Sequence, residues 1–193
     1  MAKLTLKQRR LIKQQHVLRL KLEAKLQTEM RRFFKRHSSN IANFYQQVGF
    51  TYFDATAKQE LKVLLKRHYW RVARLFKDQA RSNGSKYYKM LIEKKDFLSE
   101  VTTNIDTRIR IRLEEYFEEI STEKANQITT TTESEISDYI VRVMSAAAKD
   151  GLQLDRRQVA NLVRTFYSRR AESRARSVAI TETTRTMEET KLT

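Results

Sequence analysis

Cysteine and proline are absent from this chain, and glycine occurs only three times in 193 residues. Without cysteine there is no disulfide and no thiolate metal site. Without proline nothing forces a helix to kink, and Gly49, Gly84 and Gly151 leave few places where one is made to stop. These absences favour long helices. No apolar run approaches the roughly 20 residues that a bilayer span requires. The basic start, Met1 to Arg10, is not followed by the apolar block of a signal peptide. The expectation is a soluble protein of a reducing or enclosed compartment, in which Asn83-Gly84-Ser85 has no meaning as a glycosylation acceptor. A glycine-rich phosphate loop and a nucleophile elbow are also missing. The three histidines, His16, His37 and His68, show no metal-ligand spacing.

What the chain does have is positive charge, a formal +16 with a pI near 10.2. An excess of this size points first to nucleic acid, then to an acidic protein surface, then to anionic lipid. It is unevenly spread. Residues 1–37 hold twelve Lys or Arg against Glu23 and Glu29, a net +10. Residues 100–138 hold Arg108, Arg110, Arg112 and Lys124 against ten acids, a net −6.

Helical periodicity runs through the chain. From Leu4 to Arg36 the residues Leu18, Leu22, Leu26, Met30, Phe33 and Phe34 recur on one face. Lys7, Arg9, Arg10, Lys13, Arg19, Lys21, Lys25, Arg31, Arg32, Lys35 and Arg36 fill most of the rest. This basic arm, residues 1–37, is the candidate DNA-binding element; a solvated face packed by its stripe is the plainer reading. His37 to Asn40 offers helix-breaking caps. Phe44, Tyr45, Phe50, Tyr52 and Phe53 then crowd a connection, as core filling or as stacking surfaces.

A body over residues 38–128 follows. Asp54 or Thr56 is expected to cap a helix carrying Leu61, Leu64, Leu65, Val72, Leu75, Phe76 and Ala80, which stops at Gly84. Ser85 to Lys95 reads as a short basic helix. Asp96 or Ser99 opens another helix, striped by Val101, Ile105, Ile109, Leu113, Tyr116 and Ile120. Its acids Glu114, Glu115, Glu118 and Glu119 lie toward the expected C-terminal end, against the dipole preference, and Arg110 is placed to pair with Glu114.

The remaining segment, 129–193, starts with the run Thr129 to Thr132, expected as a link. Thr132 and Glu135 match a capping box ahead of Ile136, Ile140, Val143, Met144 and Ala147. Gly151 is suited to the C-cap, Leu152 and Leu154 to the core. Asp155 and Gln158 match a further box, opening a helix with Val159, Leu162, Val163, Phe166 and Tyr167. A last helix from about Ala171 carries Arg174-Ala175, Val178-Ala179-Ile180, Thr181-Glu182-Thr183 and Arg185.

That order of elements and that motif resemble the C-terminal module of the phage head-morphogenesis family, the minor head proteins (Mu F-like). The resemblance spans the last third of the chain. Many members carry a further segment with an Arg and a His beyond this helix, with no counterpart before Thr193. The resemblance implies a head component inside the virion, in a few copies at the portal vertex. Its implied partners are the portal protein and the genomic DNA, with a scaffold or the major capsid protein as further candidates, and its implied role is in head assembly, packaging and ejection. Its motif residues, Arg174, Ala175, Ala179, Ile180, Thr181, Glu182, Thr183 and Arg185, are then structural or partner-facing.

Glu182 is expected to accept hydrogen bonds from Arg185, or from Arg170 or Arg174, and so to lock a helical hairpin. The four glutamates at 114–119 are the one candidate metal site, as in a two-metal nuclease, but nothing nominates the remaining ligands. The expectation is therefore an all-α, non-enzymatic protein without cofactor. A DNA-binding protein unrelated to virions, a metal-dependent nuclease and a membrane-active ejection protein are the alternatives.

Overall fold

The computed structural model describes residues 6–83 and 97–192. These form four helices: α1 (Leu6–Val48), α2 (Ala55–Asn83), α3 (Phe97–Lys149) and α4 (Arg156–Leu192). The protein is all-α. The longest helix, α3, has 53 residues and runs about 80 Å. The Gly84 stop, the segment over residues 85–95 and the side chains of Phe76, Ala80, Val101, Ile105 and Ile109 lie outside what is described.

Side-chain and backbone caps set the ends. Asp54 Oδ1 accepts from the Ala57 N–H at 2.6 Å, so Asp54 rather than Thr56 opens α2. Asp155 and Gln158 form the expected reciprocal box at the start of α4, at 2.7 and 2.8 Å. Gly49 ends α1 with φ +86° and an N–H bond to the Tyr45 carbonyl at 2.8 Å. Gly151 ends α3 with φ +70°; the N–H groups of Gly151 and Leu152 return to Ala148 and Ala147 at 3.1 and 2.8 Å. Both are left-handed positions where glycine carries no Cβ penalty.

Three expected breaks are absent. α1 continues through His37 to Asn40, because Phe33, Phe34, His37, Ile41, Ala42 and Tyr45 form one buried stripe across them. The Ser38 hydroxyl donates back to the Lys35 carbonyl at 2.7 Å instead of capping. The threonine run is likewise mid-helix. Thr129, Thr131 and Thr132 donate to the carbonyls of Ala125, Gln127 and Ile128 at 3.0, 2.7 and 2.6 Å. A β-branched residue loses at most about 0.7 kcal/mol in a helix, less than the burial of Thr129 and Thr132 in the packed face recovers. The capping box of Thr132 and Glu135 therefore does not form, and Glu135 pairs with Arg174, while Glu133 accepts the Phe53 N–H at 2.7 Å. α4 also runs unbroken past Tyr167 and Ala171, both buried. The C-terminal hairpin is thus two long helices, α3 and α4, around the turn at Gly151.

Contacts along the helices give an up-down-up-down bundle. Glu29 and Glu60 meet Arg71 and His37 between α1 and α2. Glu114 and Glu133 meet Trp70 and the Phe53 N–H between α3 and α2. Asn43 meets Arg164 between α1 and α4, and Tyr139 stacks on Phe166 at 4.1 Å between α3 and α4. Every pair but α1 and α3 touches among the described residues, and α1 with α4 is the most extensive. The section is a flattened diamond, with α2 and α4 on the short diagonal and α1 and α3 at the far corners. Leu26, Met30, Phe33, Leu61, Leu65, Ile136, Val159 and Val163 fill its centre. Leu154 packs against this core, whereas Leu152, at the turn, is 60% exposed rather than tucked in.

No atom lies within 4 Å of a Cβ built on Gly151. Gly151→Ala should therefore meet only the backbone penalty of the left-handed region, about 1 kcal/mol, and Gly151→Asn less. Urea denaturation measures both; a loss of several kcal/mol would contradict this account of the turn.

Candidate nucleic-acid interface

Ten of the eleven cations singled out in the basic arm have described side chains; Lys7 lies outside them. Three are engaged within the protein. Arg19 binds Glu23 at 2.7 Å, Arg31 binds Glu172 of α4 at 3.2 Å, and Arg36 pairs with Glu60 of α2. Arg9, Arg10, Lys13, Lys21, Lys25, Arg32 and Lys35 are exposed or solvent-facing, and no ion pair holds them among the described residues. Arg10, Lys21, Lys25, Arg32 and Lys35 follow one another by 11, 4, 7 and 3 residues. Those are helical repeats, so the five share one face, opposite the stripe of Leu22, Leu26, Met30 and Phe33. The row spans about 38 Å. Toward its start the helix also exposes Leu6, Ile12, Val17 and Leu20.

The motif helix mostly faces inward. Ala175 and Ala179 are buried and let α4 lie close in the bundle. Arg174 fastens α4 to α3: its Nε donates to Thr132 Oγ1 at 2.8 Å, its Nη2 to the Ile128 carbonyl at 3.3 Å, and its Nη1 pairs with Glu135. Glu182, 5% exposed, fastens α4 to α2. Its Oε2 accepts from Tyr69 Oη at 2.7 Å and from Arg185 Nη2 at 2.6 Å. Arg185 Nη2 also donates to Tyr69 Oη at 2.9 Å. One residue along each helix, Thr183 Oγ1 lies 3.0 Å from His68 Nε2. Ile180 and Thr181 are the motif residues left on the surface.

Arg185 is thus the partner expected for Glu182, while Arg170 and Arg174 are not, because they point elsewhere on α4. Tyr69 and His68 are the residues that sequence reasoning missed. No spacing links positions so far apart; the available signal was two polar rings, inside the α2 stripe region, that need partners when buried.

Burial, reinforced by the Glu182 carboxylate, pushes the Tyr69 hydroxyl well above the usual phenol range, so it stays a proton donor. Burial, with Arg71 nearby, lowers His68 to about 4, and its Nδ1 has no hydrogen-bond partner among the described residues. His68 is therefore neutral in the folded protein at pH 7.

The acidic cluster divides. Lys66 binds Glu114 and Glu118 at 2.5 and 2.6 Å, Lys62 pairs with Glu118, and Trp70 Nε1 donates to Glu114 at 2.9 Å. Bonds from Lys62 and Lys66 lower Glu118 to about 2. Glu114 therefore bonds across to α2 rather than serving as the expected partner of Arg110. The dipole argument also falls away, since these acids lie mid-helix in α3. Glu115 and Glu119 are exposed. Among the described residues no three His, Asp or Glu are grouped as metal ligands, and no helix is long and apolar enough to cross a membrane. An open polar groove of about 350 Å³ runs between α3 and α4, lined by Thr131, Glu135, Ser173, Arg174, Ser177 and Thr181 among others.

Set against models of protein families, curated proteins and solved structures, the chain matches none.

Removing the Glu182 carboxylate takes away the acceptor that the Tyr69 hydroxyl and Arg185 share. Glu182→Ala should lose about 3 kcal/mol and Tyr69→Phe about 1 kcal/mol, with clear coupling in a double-mutant cycle. Additive losses would show that the two side chains do not act together. The lowered His68 pKa gives a second expectation. The unfolded chain binds the proton near pH 6.5 and the folded one only near 4. His68's contribution is thus fully present above about 6.5 and declines as pH falls toward 4, by roughly 3 kcal/mol in all. Glu118, whose pKa is lowered, loses its contribution at lower pH. Stability of His68→Gln should lack the decline between pH 6.5 and 4; an unchanged slope would assign it to other groups.

Proposed function

We propose that this protein is a structural, non-enzymatic component of a phage head that contacts packaged DNA beside the portal. The observation that carries the DNA contact is the row Arg10, Lys21, Lys25, Arg32 and Lys35, free of internal partners and about 38 Å long. Duplex DNA spaces its phosphates regularly, and each Lys or Arg that neutralises one gains from counterion release. A protein whose own acids are spent on internal pairs, as Glu60, Glu172 and Glu182 are, leaves such a row available.

The virion setting, the portal protein as partner and the role in packaging and ejection rest on the resemblance of residues 174–185 and the helices before them to the minor head proteins. The inward packing of most of that motif supports reading it as the element that holds the bundle together. On this reading a protein partner would meet Ile180, Thr181 and the exposed Glu115 and Glu119 rather than the buried motif residues.

Two measurements test the proposal. The purified chain should bind a 20-base-pair duplex without sequence preference, with affinity falling steeply as salt rises. Changing Lys21, Lys25, Arg32 and Lys35 to Gln should flatten the log–log salt slope by about 3 to 4. In assembled particles, antibody labelling should place the protein at a single vertex. Salt-insensitive binding would remove the DNA contact, and labelling spread over the whole shell would remove the portal assignment.

A further inference from the structure

The row on α1 lies on its solvent side, and Lys35 at its end borders the seam with α4. Glu172 of α4 crosses that seam, accepting from Gln27 Nε2 at 2.8 Å and Arg31 Nη1 at 3.2 Å. Arg169 and Arg176 stand three residues before and four after Glu172, one helical turn to either side of it on the same face of α4. Both are exposed, and no ion pair holds either among the described residues. Lys35 lies on the same edge of α1, close enough for its charge to act on Glu172, whose carboxyl is held low chiefly by the bonds from Gln27 and Arg31.

We infer that the α1–α4 seam is a two-rail site for duplex DNA, in which Arg169 and Arg176 form a second rail beside Lys21, Lys25, Arg32 and Lys35. The inference rests on the DNA contact proposed above and adds the α4 residues and the form of the nucleic acid. Packed helices stand about 8–10 Å apart, so the rails are separated by about one helix width. From Lys21 to Lys35 the α1 rail covers about 21 Å, some two-thirds of the roughly 34 Å of one duplex turn. A duplex presents phosphates on both sides of a groove, where a single strand presents one line.

The seam also lacks what single strands need. Within 10–36 of α1 the rings Phe33 and Phe34 are buried, and 168–177 of α4 contains no Phe, Tyr or Trp. The exposed rings Phe50, Tyr52 and Tyr116 lie in the α1–α2 connection and on α3. With no stacking platform among the described residues, the seam's contacts are to phosphate, which positions without reading sequence.

The test uses the full chain, a 20-base-pair duplex DNA and one of its strands alone, each titrated at several salt concentrations. Arg169→Gln with Arg176→Gln should flatten the duplex salt slope by about 2 and weaken binding between about ten- and a hundredfold at 0.1 M salt. Arg110→Gln with Arg112→Gln, an equal loss of charge on α3, should leave the slope unchanged. The single strand should bind more weakly than the duplex to the unaltered chain. A duplex slope unaltered by the α4 changes but flattened by the α1 changes would overturn the second rail and leave the DNA contact standing. Equal affinity for the single strand would overturn the duplex assignment. No binding to either at 50 mM salt would remove the DNA reading itself, and the seam with it.

Discussion

The carboxylate of Glu182 inside the bundle is the group on which the arrangement of helices turns. A buried carboxylate is costly unless its lone pairs are met, and here one oxygen receives both the Tyr69 hydroxyl and the Arg185 guanidinium. That need fixes the height of α4 against α2. His68 and Thr183, one residue along each helix, repeat the tie. Apolar rods can slide past one another at modest cost, since a stripe of leucines and valines matches in several registers. A polar pair in the same stripe has one register only. The diamond section follows, because α2 and α4 must come close enough for hydrogen bonds, and that pushes α1 and α3 to opposite corners.

Separation of those two corners sorts the charge. α3 brings its acids against the lysines of α2, where Lys62 and Lys66 are only partly exposed and hold Glu114 and Glu118. α1 meets its neighbours through few acids: Glu29 holds Arg71, Glu60 holds Arg36 and His37, Glu172 holds Arg31. The exposed ones among these pairs, Arg31–Glu172 and Arg36–Glu60, contribute little to stability. Their consequence is subtractive, for they decide which cations of α1 remain free. Net charge alone would have given all of them to a partner.

Much of the fold could be read from the residues, and the exceptions share a cause. The stripes, the cap at Asp155, the glycine ends at Gly49 and Gly151 and the all-α class all follow from local chemistry. The errors at Ser38 to Asn40 and at Thr129 to Thr132 come from treating weak local preferences as decisive. A few tenths of a kcal/mol against helix cannot compete with burial of Phe34, Ile41, Thr129 or Thr132 in a continuous face. The candidate interface was legible as a list of cations but not as a face, because Arg31 and Arg36 are removed from it by acids distant in sequence. The same distance hid Tyr69 and His68. Arg169 and Arg176 were hidden for the opposite reason. In a helix with many arginines nothing local marks those two, and only Glu172 reaching α1 sets them on the seam.

The motif illustrates what a short run of residues can and cannot say. Arg174, Ala175, Ala179, Glu182 and Thr183 each have a reason to be what they are that lies wholly within the bundle. The arginine ties α3, the alanines admit a close neighbour, and the acid and the hydroxyl grip α2. A run with those duties would be retained by any protein that assembles these helices in this way, whatever it then touched. The proposed likeness to the minor head proteins therefore bears on architecture more directly than on binding. Binding is left to residues with no internal duty, which on the proposed reading are the free cations of α1 and α4. The two sets interleave along α4, where Arg174 and Glu182 are held by other helices while Arg169 and Arg176 are exposed. Loosening the inner set would move the outer one, so the grip on α2 and the alignment of the exposed arginines of α4 are parts of one arrangement.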